Sequence, residues 1–254
     1  MNKWISREKY GYLGMSLLII LIFGQLYYFA GNSQLVFSNV FIYFFNGVPY
    51  FDKGTSFFMD FPWYWFGIQI FLLYRILLNI DFTHNRIEQF LIREDRNKFY
   101  NNQIKKIVFL NLSYIVLILF WIVLLCGIFK IPFLGDHYEM DYLLSKIPYE
   151  VQRSALSLFL AFMVSMMTSI LLSLIMWVLY IIVNGAGAFA VITAYYVGAF
   201  FISNPIFLPN YLMIGRTLQQ QYGIEPRIGM ITGIVVFAIV YILGLMFMKS
   251  KDIV

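Results

Sequence analysis

Apolar residues in this chain come in long runs, and the polar residues gather between them. Six runs have spanning length: residues 10–30, 61–80, 107–129, 156–183, 185–207 and 228–248. A helix rising about 1.5 Å per residue needs about 20 apolar residues to cross a hydrocarbon core about 30 Å thick. The second run opens on Pro62 and an aromatic cluster, Trp63, Tyr64 and Trp65. The fourth is long enough to tilt or protrude. The break Asn184-Gly185-Ala186-Gly187 divides it from the fifth. The fold class that follows is all-α, a polytopic membrane protein with six transmembrane helices in one domain over residues 1–254.

Composition agrees. The chain is 61% hydrophobic and 20% aromatic, with only 12% charged residues, against about 25% charged in soluble domains. That surplus of apolar surface does not fit inside one water-soluble core, so lipid is the solvent for most of it. The N-terminal run is too long for a signal-peptide core and has no small-residue cleavage site after it, so it reads as an uncleaved first span.

The formal charge of +5 points to membrane topology rather than nucleic acid, because the basic residues cluster in particular connections. Lys3, Arg7 and Lys9 precede the first span. Arg86, Arg93, Arg96, Lys98, Lys105 and Lys106 lie between the second and third, and Lys249 and Lys251 follow the last. The opposite side carries fewer: Lys53, Lys130, Lys146, Arg153, Arg216 and Arg227. Both termini are therefore expected in the cytoplasm. Arg75, near the cytoplasmic end of the second run, is expected to snorkel toward the interface.

Catalytic chemistry is hard to find. His84 and His137 fall on opposite sides of the expected membrane, and Cys126 is alone within an apolar run. No zinc-protease, nucleotide-binding P-loop or serine-hydrolase motif occurs. The last four runs contain no acidic residue, which disfavours an autonomous proton-coupled pump. Nothing in the chain calls for a metal or cofactor, and an enzyme is not expected.

Packing signals are clearer. Gly187, Ala190, Ala194 and Gly198 repeat at helical spacing in the fifth run. Small residues let helices approach closely in lipid, so this face is expected to make a tight contact, within the chain or across a dimer. Ser165, Thr168, Ser169 and Ser173 in the fourth run suit interhelical hydrogen bonds better than a polar pathway. The stretch 31–60 holds a second apolar segment too short to span, expected on the bundle rim or in the membrane interface. The carboxylates of residues 130–155, Asp136, Glu139, Asp141 and Glu150, suit a solvated face. Residues 204–227 carry three prolines and are half apolar, as in a short helical pair dipping back into the outer leaflet.

The connection 81–106 is the most informative. It has no Gly or Pro, and Ile87, Phe90 and Leu91 share a helical face. The charged cluster Arg93, Glu94, Asp95, Arg96 and Lys98 follows, then Phe99 and Tyr100. From periodicity, a partner-binding surface and a basic anchor on anionic lipid fit equally well.

At FLIREDRNKFYNNQIKKI the chain resembles permease subunits of ABC transporters of the ABC-2 type, in particular small bacterial permeases of the peptide-export and bacteriocin-immunity kind. The likeness covers the whole layout: an interfacial N-terminal segment, six spans, a coupling loop at 81–106 and a re-entrant segment at 204–227. The resemblance implies a multi-pass protein of the bacterial plasma membrane, working with a separate ABC ATPase subunit and a second permease subunit, identical or homologous. ATP and Mg would be bound by the ATPase. Arg93, Glu94, Asp95, Arg96 and Lys98 would contact it through charge pairs, with Phe99 or Tyr100 as the packing knob. The cargo implied is a hydrophobic or amphipathic peptide, such as an antimicrobial peptide. The chain departs from the pattern in having no basic residue at Asn184–Gly187. The alternative is a non-transporting immunity, scaffold or sensor-regulating membrane protein.

Overall fold

The structure is a computed structural model that describes residues 2–30, 35–47, 63–84, 96–133, 155–202, 204–218 and 224–250. All regular structure among them is helical. In chain order the helices are α1 (Asn2–Ala30), α2 (Phe37–Phe45), α3 (Trp63–His84), α4 (Arg96–Ile128), α5 (Ala155–Ile182), α6 (Gly185–Phe201), a 3-10 turn at Leu208–Leu212, α7 (Ile214–Leu218) and α8 (Pro226–Ser250).

Five of these helices, α1, α3, α4, α5 and α8, contain stretches long and apolar enough to cross a membrane. The fifth run predicted from sequence is shorter than expected. It is helical only over the 17 residues of α6, and Ile202 leaves the helix in extended conformation. The third is longer: the 33 residues of α4 begin at Arg96, inside the expected loop. Residues 96–106 are thus a continuation of the third span, and the 81–106 connection is shorter than its polarity suggests. Nothing between Arg96 and Lys106 breaks a helix, so it continues through the change from polar to apolar. It stops where Lys130 turns left-handed (φ 55°) and Ile131 N–H bonds back to Cys126 O at 2.9 Å.

Side-chain pairings fix the helix directions. Tyr12 meets Ser113, and Ser16 meets Trp121 (both 2.9 Å), so α1 and α4 run parallel. Arg75 and Phe71 of α3 lie against Gly11 and Gly14 of α1, so α3 runs opposite to α1. Tyr74 packs on Phe189 and Trp65 on Phe200, which makes α6 antiparallel to α3. Asn111 meets Ser169 and Ser173, and Tyr100 meets Trp177, so α5 opposes α4. Val164 and Leu171 of α5 approach Gly229 and Gly233 in that order, so α8 is parallel to α5. From α1 through α3, α4, α5, α6 and α8 the direction alternates. The starts of α1, α4 and α6 and the ends of α3, α5 and α8 therefore lie at one end of the bundle.

The short apolar segment of residues 31–60 forms α2, which is sunk among the other helices rather than lying at their rim. Its N-terminus is capped by Asn39, whose side-chain oxygen accepts from Val36 N–H at 3.0 Å. Phe41 and Phe45 then pack on Phe162 of α5 with ring centroids 5.5 and 5.4 Å apart. At its end Gly47 adopts φ +73° and lies against Met213, while Asn46 O accepts from Gly215 N–H at 3.1 Å. Only glycine takes that conformation without strain. Gly47→Ala is expected to lower stability by about 1–2 kcal/mol from the backbone alone, read as a lower unfolding midpoint in detergent.

The inward hydroxyl groups of α5 are satisfied. Ser169 and Ser173 donate to Asn111 Oδ1 at 3.1 and 3.3 Å. Thr168 donates to Val164 O at 2.8 Å and Ser165 to Leu212 O at 3.2 Å. The hydroxyls of α5 thus work as interhelical and local bonds, each contributing about 0.6 kcal/mol. Arg75 is enclosed rather than extended into water (8% exposed); its Nε donates to the Tyr114 hydroxyl at 3.2 Å, beside Gly11 near the start of α1.

Candidate functional site at the two ends of the bundle

One end of the bundle is built on the start of α4. Arg93, Glu94 and Asp95 lie outside the described residues. Arg96 is half-buried, Asn97 and Lys98 are exposed, and Phe99 and Tyr100 are buried at 5% and 1% exposure. The aromatic pair therefore faces the chain's own interior. The Tyr100 hydroxyl donates to Val240 O and Tyr241 O at 3.3 and 3.1 Å, and its ring lies 4.8 Å from that of Trp177. Gly244 of α8 makes room for it: a Cβ there would stand 2.7 Å from ring carbons. Tyr241 returns a bond to Asn101 Oδ1 at 3.0 Å. These contacts seat the first turns of α4 between the ends of α5 and α8. Lys98, Asn102, Lys105 and Phe109 follow one another along its outer side, so the outward stripe passes from basic to apolar within about three turns.

The other end is closed by residues 204–218. The 3-10 turn and α7 are buried from Leu208 to Thr217. Leu212 O takes its bond from Ser165, ten residues into α5, or about 15 Å along that helix. Residues 219–223 of the expected re-entrant segment lie outside the described residues.

Arg216 organises this closure. It is 1% exposed. Its guanidinium donates to Ala199 O at 2.5 Å, to Phe200 O at 3.0 Å and to Asn210 Oδ1. Asn210 in turn donates to Ile202 O at 2.8 Å and Asn204 O at 3.0 Å. The last carbonyls of a helix lack intrahelical donors and carry its negative end. A planar, five-donor cation suits them, and a lysine does not supply the same fork. Burial pushes the Arg216 pKa down to about 10, which leaves it protonated at neutral pH. Arg216 reads in sequence as an ordinary loop charge, and no signal there marks it as the cap of α6.

The small-residue face of α6 packs on no spanning helix among the described residues, and Gly198 lies against the Phe207 ring. Ala190 and Ala194 are exposed, and Gly187 and Gly198 are half-buried. The inward face is Ala188, Ile192, Tyr196, Ala199 and Phe200. A close helix approach occurs instead on α8, where Gly229 and Gly233 face α5. A Cβ on Gly229 would stand 2.5 Å from the Tyr211 ring and 2.7 Å from Val164 Cγ1. The signal was in the sequence: Gly229-Met-Ile-Thr-Gly233 is a G-x-x-x-G pattern. The opposite face of α8 is peripheral, with Ile231, Ile234, Ile242 and Met246 each more than half exposed, as befits a lipid-facing surface.

No family model, no curated protein and no solved structure matches this chain.

Proposed function

We propose that this chain is the permease subunit of an ATP-driven exporter of the ABC-2 type, moving a hydrophobic or amphipathic peptide with a separate ATPase subunit and a second permease subunit. In this reading α1, α3, α4, α5, α6 and α8 all cross the membrane. Their alternating directions support it, because α5 and α8 run the same way and the chain must return between them. The 17 residues of α6 are at the short end of what spans a bilayer.

The observation that carries the reading is the start of α4. Its basic residues Arg96, Lys98, Lys105 and Lys106 extend the third span beyond its apolar part, and Tyr100 fixes that extension to α5 and α8, with Phe99 buried beside it. A push on the charged turn is then passed to the bundle through packed rings. Such a contact shifts the bundle only if the ATPase binds its two states with different affinity. Arg93, Glu94, Asp95, Arg96 and Lys98 make the contact, and the two aromatic residues transmit it. The exposed Ala190 and Ala194 row on α6 is the surface offered to the second permease subunit.

The test is a charge reversal. Arg93→Glu with Arg96→Glu is expected to abolish co-purification of the proposed ABC ATPase subunit with this chain, and with it ATP-driven export of a labelled hydrophobic peptide from vesicles. An unchanged complex with unchanged export would refute the coupling role. One observation favours the rival reading of a non-transporting immunity or scaffold protein: Ser165, Thr168, Ser169 and Ser173 are all bonded within the chain, so α5 offers no polar lining. An intact complex that moves no peptide supports that rival.

A further inference from the structure

The seam between α3 and α6 holds hydrogen-bonding atoms that nothing among the described residues answers. Trp65 and Tyr196 are completely enclosed, each 0% exposed, with ring centroids 6.5 Å apart. Among the described residues Trp65 Nε1 and the Tyr196 hydroxyl have no hydrogen-bond partner, and neither has the buried hydroxyl of Thr193. Thr193 stands three residues before Tyr196 and four after Phe189, whose ring meets Tyr74 of α3. It therefore belongs to the row of α6 that faces α3. Gln69, one turn on from Trp65 and 8% exposed, adds a polar side chain to the same stripe of α3.

A buried donor without a partner forfeits the hydrogen bond it made to water, and native interiors hold few of them. Three on one helix seam, bordered by the rings of Phe66, Phe189 and Phe200, is a concentration that calls for a partner from outside the chain. Its chemistry follows from the atoms. Indole N–H only donates, and both hydroxyls donate as well. This row contains no cation or carboxylate. An anion would be buried without a counter-charge, and an ammonium would find no carboxylate. The matching group is a neutral acceptor.

We propose that the α3–α6 seam binds the carbonyl oxygen of a neutral, otherwise apolar molecule, an amide of a hydrophobic peptide or an ester of a lipid. The site does not rest on the transport reading, since a sensor or scaffold would use it equally.

The test uses the full chain in dodecyl maltoside, a detergent without carbonyl groups. Three radiolabelled probes are compared by equilibrium dialysis: N-acetyl-trileucine amide, dioleoylglycerol, and the dialkyl ether analogue of that lipid. The wild-type chain is expected to bind at least one of the first two, and the ether about tenfold more weakly than the ester if the lipid is the one bound. Binding of the peptide alone or of the lipid alone identifies the source of the carbonyl. Thr193→Val with Tyr196→Phe, which keeps shape and removes both hydroxyls, is expected to weaken that binding about tenfold. The same variant should raise the melting temperature of the free chain, because two unanswered polar atoms have gone. The inference is overturned if neither carbonyl probe binds, if the double variant binds as well as the wild type, or if its melting temperature falls.

Discussion

Replacing Gly229 with valine is expected to lower the stability of the chain by about 3 kcal/mol, the upper range for forcing extra carbon into a packed interior. The reason lies in what the new side chain would meet. A Cβ at position 229 falls 2.5–2.7 Å from the Tyr211 ring and Val164 Cγ1. Neither group can swing aside: Tyr211 is fully buried with its hydroxyl on Pro205 O at 2.8 Å, and Val164 is β-branched on a helix. Gly233 provides the internal control. Its nearest neighbour is the terminal methyl of Met167, the flexible end of an unbranched side chain, so Gly233→Ala is expected to change stability by less than about 1 kcal/mol. Unfolding midpoints of the two variants in the same detergent measure the contrast. Equal losses would mean that the α5–α8 contact is not set by these atoms.

Arg216→Met is expected to cost about 3–5 kcal/mol. Methionine fills much of the same space but leaves Ala199 O, Phe200 O and Asn210 Oδ1 without their donor, and each buried polar group so abandoned costs about 1–3 kcal/mol. Arg216→Lys should recover only part of this, because an ammonium cannot reach three acceptors from one plane. The damage should also be local at first. Amide exchange is expected to rise at the end of α6 and in residues 204–218 before it rises in α4, because α4 shares none of these bonds. A uniform rise across all helices would contradict the assignment of Arg216 as the cap of α6.

The helical class and most of the spans were legible because runs of about 20 apolar residues have few other uses. Helix ends were less legible, for physical reasons visible in two places. At Arg96 a helix continues through a change of polarity, since charged and amide side chains with good helix propensity do not interrupt it. At Ile202 a helix stops inside an apolar run, because Arg216, sixteen residues beyond Phe200, takes up its last carbonyls and Asn210 takes that of Ile202. Apolar runs record what faces lipid, whereas caps depend on partners that pattern does not reveal. The small-residue row on α6 was legible as a row, but Ala190 and Ala194 at its middle are exposed, while the glycine pair on α8 makes the close helix contact. Phe99 and Tyr100 stood out beside charged residues, and only the fold reveals that their rings turn inward. Trp65, Thr193 and Tyr196 gave no sequence signal, since an aromatic or a threonine in a span is ordinary until its polar atom is found without a partner.

A crossing by α6 is the step on which the arrangement in the membrane depends most, because that return puts the starts of α1, α4 and α6 on one side of the bilayer. Single cysteines at Val183 and Asn204, both exposed and at opposite ends of α6, test it most directly in a Cys126→Ala background. With a membrane-impermeant maleimide on intact cells, Asn204→Cys should be labelled, while Val183→Cys should react only after the cells are opened. Labelling of both positions from the same side would contradict the crossing, and with it the arrangement of the chain in the membrane.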